Sequence, residues 1–266
     1  MDWRLMLSVV TKEIVVKCPS CGSSNVTKQG IKNGKQNYRC KNPECSTKYF
    51  IDSYTYKACS SEVRLKVLKM IANGCGTRAT ARILHISPNT VTAIIKDQQK
   101  EIWQINYTYI QEHLGETIEV EVLSPDQIEV NEVEMDEMWS FVGDKSHQYW
   151  LWWAIDHATG QPLAYCFGTR EHKYLDELLE LLSAFQINTV YVDGNYAYET
   201  RFPEEVIVGK KNTQKIERKH LSLRTWCSRL IRKGLCFSKT HRLHSIVIGF
   251  IINIWFFGRI YEEFVI

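Results

Sequence analysis

The chain has 266 residues, 44% hydrophobic and 24% charged, ordinary values that exclude disordered, collagen-like and low-complexity classes. No apolar run reaches the roughly 18 residues a membrane span needs, so a cytoplasmic protein without a membrane partner is expected. The net charge of +3 hides an uneven distribution: residues 1–100 hold 17 Lys and Arg against 6 Asp and Glu, residues 112–145 hold 1 against 11, and residues 201–242 hold 12 against 3; basic blocks of this size usually meet polyanions.

The first element is a cysteine pattern, Cys18-Pro19-Ser20-Cys21, then Cys40 and Cys45. The odd total of nine cysteines argues against a disulfide framework. Two close pairs at this separation suit tetrahedral Zn²⁺ with four thiolates, a closed structural site with no position left for chemistry. Gly22 permits the tight turn of such a knuckle. Gln36–Arg39 reads as a short strand, followed at a distance by Lys48-Tyr49-Phe50. Residues 1–58 therefore look like a zinc ribbon of two small hairpins.

A helical block follows over residues 59–114. Ser60 or Ser61 caps a first helix with Val63, Val67, Leu68 and Ile71 on its apolar face, and Asn73-Gly74 ends it. Thr77 caps a second, short helix through Ala79, Ala81 and Ile83-Leu84. His85-Ile86-Ser87 is a tight turn, and Ser87 caps a third helix with Pro88 at its first position. The small residues Ala79 and Ala81 before a three-residue turn suggest a helix-turn-helix. Its third helix would present Asn89, Thr90, Thr92 and Lys96 to a DNA major groove. A plain three-helix bundle is the alternative. Residues 115–129 read as an acidic linker.

Residues 130–266 open with β signals. An apolar run surrounds Asp136-Glu137, Gly143–Lys145 is a turn, and Tyr149–Ile155 is an aromatic strand read as core. His157–Gly160 is a second turn, and Pro162–Phe167 a third strand. Leu175 to Phe185 keeps helical spacing. Thr189–Val192 is a short strand that delivers Asp193, and Glu217 lies on a helix starting near Asn212. Ile246–Phe257 reads as a buried helix, interrupted for a membrane span by Gly249 and Asn253. The order of strand, strand, strand, helix, strand, helices is that of an α/β, mixed-sheet, ribonuclease-H-like fold. In it the first and fourth strands are neighbours, so Asp136 can meet Asp193 while a helix brings Glu217 to the same point. Converging carboxylates repel unless a cation joins them, and hard oxygen donors suit Mg²⁺ or Mn²⁺. Each carboxylate also has a plain reading: an acid in an acidic run, a turn Asp, a helix-surface ion pair. Glu137 is expected on the opposite strand face, and Asp144 and Asp156 at hairpin turns.

Asp136-Glu137-Met138-Trp139-Ser140-Phe141-Val142-Gly143 and Trp150–Asp156 resemble the insertion-sequence-1-type transposases. So do Val208–Arg218 with Leu221-Ser222-Leu223-Arg224, Arg232–Lys239, and the ribbon with its helix-turn-helix. The resemblance runs from about Lys17 to Phe256. It implies a DDE transposase that binds the terminal inverted repeats of its element, cuts a strand at each end and joins the 3′-OH to target DNA. It puts Asp136, Asp193 and Glu217 at the positions that hold two catalytic Mg²⁺ or Mn²⁺ ions, with Zn²⁺ as the structural metal. The implied partners are double-stranded DNA, as element ends and target, and further copies of the chain on DNA, near the nucleoid. Lys210, Lys211, Lys215, Arg218, Arg224, Arg229, Arg232 and Lys233 then serve as phosphate contacts. Asn195 stands where the family has Trp and Val206 where it has His. Two alternatives stay open: a catalytically impaired DNA-binding regulator, and a ribonuclease-H-like nuclease that does not join ends.

Overall fold

A computed structural model describes residues 15–32, 34–51, 60–114, 129–194, 198, 206–231, 233 and 236–265. Most of the acidic linker, Asn195 and Arg232 lie outside the described residues. The chain divides into two compact units, one ending at residue 57 and the other beginning at residue 58.

The first unit holds three antiparallel strands, β1 (Val26–Lys32), β2 (Lys35–Cys40) and β3 (Tyr49–Ile51). The two hairpins read from the sequence share the middle strand. Tyr38 faces Phe50 across β2 and β3, their rings stacked at 5.6 Å. These two rings with Cys18 and Cys40 are the buried core. So small a core supplies little stability by itself, and domains of this size usually need a metal or disulfides.

The second unit begins with α1 (Ser61–Ala72), α2 (Thr77–Leu84) and α3 (Pro88–Asp97). Asn73 caps the C-terminus of α1, and His85 adopts φ 52° after α2, the left-handed turn that separates the two helices. The Ser87 side chain accepts the Asn89 N–H at 3.2 Å, satisfying one of the free donors at the start of α3. The short α4 (Tyr107–Leu114) follows.

The central sheet has five strands: β4 (Glu129–Val142), β5 (Asp144–Asp156), β6 (Pro162–Gly168), β7 (Gln186–Val192) and β8 (Val206–Val208). Their order is β6-β5-β4-β7-β8. The first three strands form an antiparallel meander, and β7 lies parallel to β4. The expected neighbours are therefore neighbours. Two details differ. The second strand starts at Asp144, five residues before the apolar signal, because its exposed polar end still pairs with Val142 and Phe141. The three-residue β8, parallel to β7, was too short to show a period.

Alternation along the strands gives the sheet two apolar faces. Met135, Trp152 and Ala154 face one way, where α5 (His172–Leu181) brings Leu175 and Leu178. Met138, Leu151, Trp153 and Ile155 face the other way. There they meet α6 (Gln214–Trp226) and α7 (His241–Trp255). α7 is buried along nearly its whole length because it is covered on two sides, by the sheet and by residues of α1 and α3. A helix apolar all round belongs in such a place. Gly249 and Asn253 fit that setting. A Cβ at Gly249 would stand 2.7 Å from the Tyr165 hydroxyl and 2.8 Å from Ile102. The Asn253 amide accepts the Trp103 N–H and donates to the Trp103 carbonyl. No helix among the described residues is long and apolar enough to cross a membrane.

Candidate active site

The three carboxylates singled out in the sequence lie on neighbouring elements around the end of β7, although among the described residues only the four cysteines are close enough to form a metal-holding group. Asp136 lies on β4 beside Trp153 of β5. The parallel register pairs Glu134 with Tyr191, so one repeat further along Asp136 comes level with Asp193, just past the end of β7. Glu217 lies in the first turn of α6, which packs over the face carrying Asp136. Glu217 and Asp193 are both exposed. Burial, then the adjacent Glu137 carboxylate, then Asp193 and Glu217 push the Asp136 carboxyl up from 3.8 to about 7. Burial is the main cause, and the neighbouring carboxylates add to it. Hard oxygen donors placed at one end of the sheet suit Mg²⁺ or Mn²⁺.

Asp136 is held from two sides. Its Oδ1 accepts the Glu137 N–H at 2.8 Å, and its Oδ2 lies 3.5 Å from Nδ1 of His220. His220 sits one turn after Glu217 on α6. Its Nε2 accepts the Trp153 indole N–H at 2.7 Å, which leaves the proton on Nδ1, facing the carboxylate. Glu137 does point to the opposite face, where Arg170 and the Tyr198 hydroxyl donate to its two oxygens at 3.0 and 3.2 Å. Asp156 is a buried turn residue that accepts the N–H groups of Ala158 and Thr159.

The first turn of α6 is tied to β4. The Thr213 side chain makes no capping bond. Instead Glu134, buried on the same strand face as Asp136, accepts the Ile216 N–H at 2.9 Å through Oε2. His157 Nδ1 contacts its other oxygen at 2.7 Å. The sequence reading missed Glu134, His157 and His220. Two of them lie in an acidic run and a turn, and the third in a basic stretch, where nothing marks them.

The basic residues fall into separate surroundings. Lys211, Arg218 and Lys233 are exposed, and Arg224 is half-buried. Only the backbone of Lys210 is described. The Lys215 amine donates to the carbonyls of His157 and Ala158. Arg229 departs from the expectation of a DNA-facing surface: it is largely buried and donates to Ser238 Oγ at 2.9 Å and Thr77 Oγ1 at 3.2 Å. It joins the start of α2 to the segment before α7, a role its position in a basic run does not betray. On α3, Asn89 and Lys96 are exposed and Thr90 and Thr92 half-buried, with Thr92 Oγ1 bonded to the Pro88 carbonyl.

In the first unit the four thiol groups of Cys18, Cys21, Cys40 and Cys45 lie within 4.8 Å of one another. The Cys18–Cys45 and Cys21–Cys40 sulfur distances are both 3.7 Å. Thiolates about 2.3 Å from Zn²⁺ define a tetrahedron with edges of about 3.8 Å, so the donor set fits this ion. The Ser23 backbone N–H is the main cause that draws the Cys21 thiol down to about 7, whereas Cys40 and Cys45 are pushed up by burial and the neighbouring thiols.

Residues 130–258 match the family described as IS1 transposase, and residues 54–99 match the InsA C-terminal domain. The insertion element iso-IS1n protein InsB of Shigella dysenteriae is 46% identical over 121 residues, 45% of this chain and 92% of that relative. The chain belongs to the IS1 transposase family. The insertion element IS1 protein InsB of Shigella flexneri is 45% identical over 122 residues, 46% of this chain and 93% of its own length. An InsB of Escherichia coli K12 is 43% identical over 122 residues, 46% of this chain and 73% of its own length. With the family established, the sheet is that of a ribonuclease-H-like transposase domain, and the helical block carries the family's helix-turn-helix.

Proposed function

We propose that the protein binds the terminal inverted repeats of its insertion element, cuts a strand at each end and joins the released 3′-OH to target DNA. The observation that carries this reading is the strand register that brings Asp136 level with Asp193, with Glu217 in the first turn of the helix packed on the same face, in a chain of the IS1 transposase family. These three residues would hold two Mg²⁺ or Mn²⁺ ions, which supply activation of the attacking oxygen and stabilisation of the leaving one. Asp136 presents one oxygen to that site while His220 and the Glu137 N–H orient its carboxylate. Lys211 and Arg218, exposed on either side of Glu217, neutralise phosphate charge and hold the strand, without reading sequence. Asn89 and Lys96 of α3 face bases in the major groove and Thr90 and Thr92 flank them. The four thiolates hold Zn²⁺ and so keep the ribbon folded. Two element ends must be handled together, so copies of the chain assemble on DNA in the cytoplasm, at the nucleoid.

Strand cleavage and joining on a labelled duplex with the element's own ends, with Mg²⁺ or Mn²⁺, tests the reading. Joined product from the wild type and none from Asp193→Asn is the expected result. Cleaved ends without joined product would establish the nuclease instead. End binding without cleavage in either protein would establish the regulator, which Val206 at the family His position favours.

A further inference from the structure

We propose that Glu134 and His157 are positioning residues: together they clamp the first turn of α6 and so set Glu217 against Asp136. The inference rests on the reading of Glu217 as a metal-holding residue. A helix begins with free N–H groups, and here Thr213 leaves them to a partner from another element. Glu134 supplies it. Its side chain is 1% exposed, and a carboxylate so buried costs free energy unless it is well paired. Both its oxygens are paired, one to the Ile216 N–H and the other to His157. A negative charge at a helix N-terminus also meets the positive end of the helix dipole. The bond to Ile216 is adjacent in sequence to Glu217, and Glu134 precedes Asp136 by one strand repeat on the same face. One strand therefore presents one carboxylate that fixes the helix and another that meets the residue the helix carries. The His157 turn adds a second tie, since its carbonyl and that of Ala158 accept the Lys215 amine on the same helical turn.

The test compares wild type, Glu134→Ala, Glu134→Gln, His157→Ala and Glu217→Gln as full-length chains. Three quantities are read: Mn²⁺ affinity by electron paramagnetic resonance without DNA, hydrogen exchange of the α6 first turn, and the cleavage rate. Removing a group that orients a metal ligand typically costs about 10–100-fold in metal affinity. That loss is expected for Glu134→Ala, with faster exchange at Ile216 and an intact far-ultraviolet spectrum. Glu134→Gln keeps an acceptor oxygen and should recover most of the affinity, a rescue that loss of packing alone would not show. Wild-type Mn²⁺ affinity in folded Glu134→Ala, alongside lost affinity in Glu217→Gln, would overturn the clamp and spare the site. Wild-type affinity in Glu217→Gln would overturn the site itself, and the clamp with it. Should Glu134→Ala fail to fold, His157→Ala decides: weakened Mn²⁺ binding supports the clamp, unchanged binding overturns it.

Discussion

Asp136 carries a raised carboxyl among acidic neighbours. Its carboxyl is raised from 3.8 to about 7 in the metal-free protein. A raised carboxyl favours folding most where it is protonated in both states, below about 3.8. That contribution is lost as pH rises from there through about 7, because the unfolded chain gives up its proton first. Two outcomes follow from this one sign. Mn²⁺ affinity should rise up to about tenfold per pH unit as pH approaches 7 and level off above, since the ion displaces a proton below it; titration by electron paramagnetic resonance from pH 5.5 to 8 checks this. Asp136→Asn should abolish cleavage yet raise the metal-free melting temperature at pH 8 by a few degrees, because a buried charge facing other carboxylates is gone. A lower melting temperature would contradict the repulsion. In the sequence, Asp136, Asp193 and Glu217 were singled out by the specific motifs around them. Glu134 was not: in a run with Glu129, Glu132, Asp136 and Glu137 nothing in the sequence says which acid is buried.

Among the elements, α7 shows best how burial on two sides is written in sequence. Its apolar run resembles a membrane segment that stops short, and Gly249 and Asn253 look like flaws. In the fold, Gly249 is where Tyr165 and Ile102 approach closest, and Asn253 satisfies the backbone of Trp103 across the contact. Gly249→Ala is expected to destabilise the second unit by about 1–3 kcal/mol through overpacking, despite the better helix propensity of Ala. Urea denaturation followed by tryptophan fluorescence measures it, and an unchanged midpoint would show that Ile102 and Tyr165 give way freely. The helix-turn-helix was legible from local signals: the Ser87 cap, Pro88 at the first position and the His85 turn all act within a few residues. The strand β8 and the polar start of β5 were not, because only partners across the sheet make them strands.

For the molecule as a whole, the decisive feature is which parts share a core. Val67, Leu68, Ile71, Val91, Ile94 and Ile95 of the helical block belong to one apolar cluster with Trp153 of the sheet and the buried residues of α7. The segment that would read DNA and the segment that would cut it are therefore expected to melt together. The ribbon has its own four-residue core, and its four thiols are placed to hold a metal. A strong Zn²⁺ chelator should unfold residues 15–51 alone, lowering affinity for element ends while the main melting transition stays in place. Limited proteolysis with mass spectrometry reads this out: cleavage confined to the ribbon is expected, and loss of the second unit would show that the metal stabilises more than its own ligands. Metal spacing, turn and cap chemistry, strand alternation and the family motifs act over short stretches of chain, and those stretches were readable in order. The burial of Glu134, the proton that Trp153 leaves on His220 and the withdrawal of Arg229 from the surface arise from residues 67, 82 and 152 positions apart. Contacts of that range are settled by how the sheet and helices pack, because burial and hydrogen-bond pairing depend on neighbours that no local pattern names.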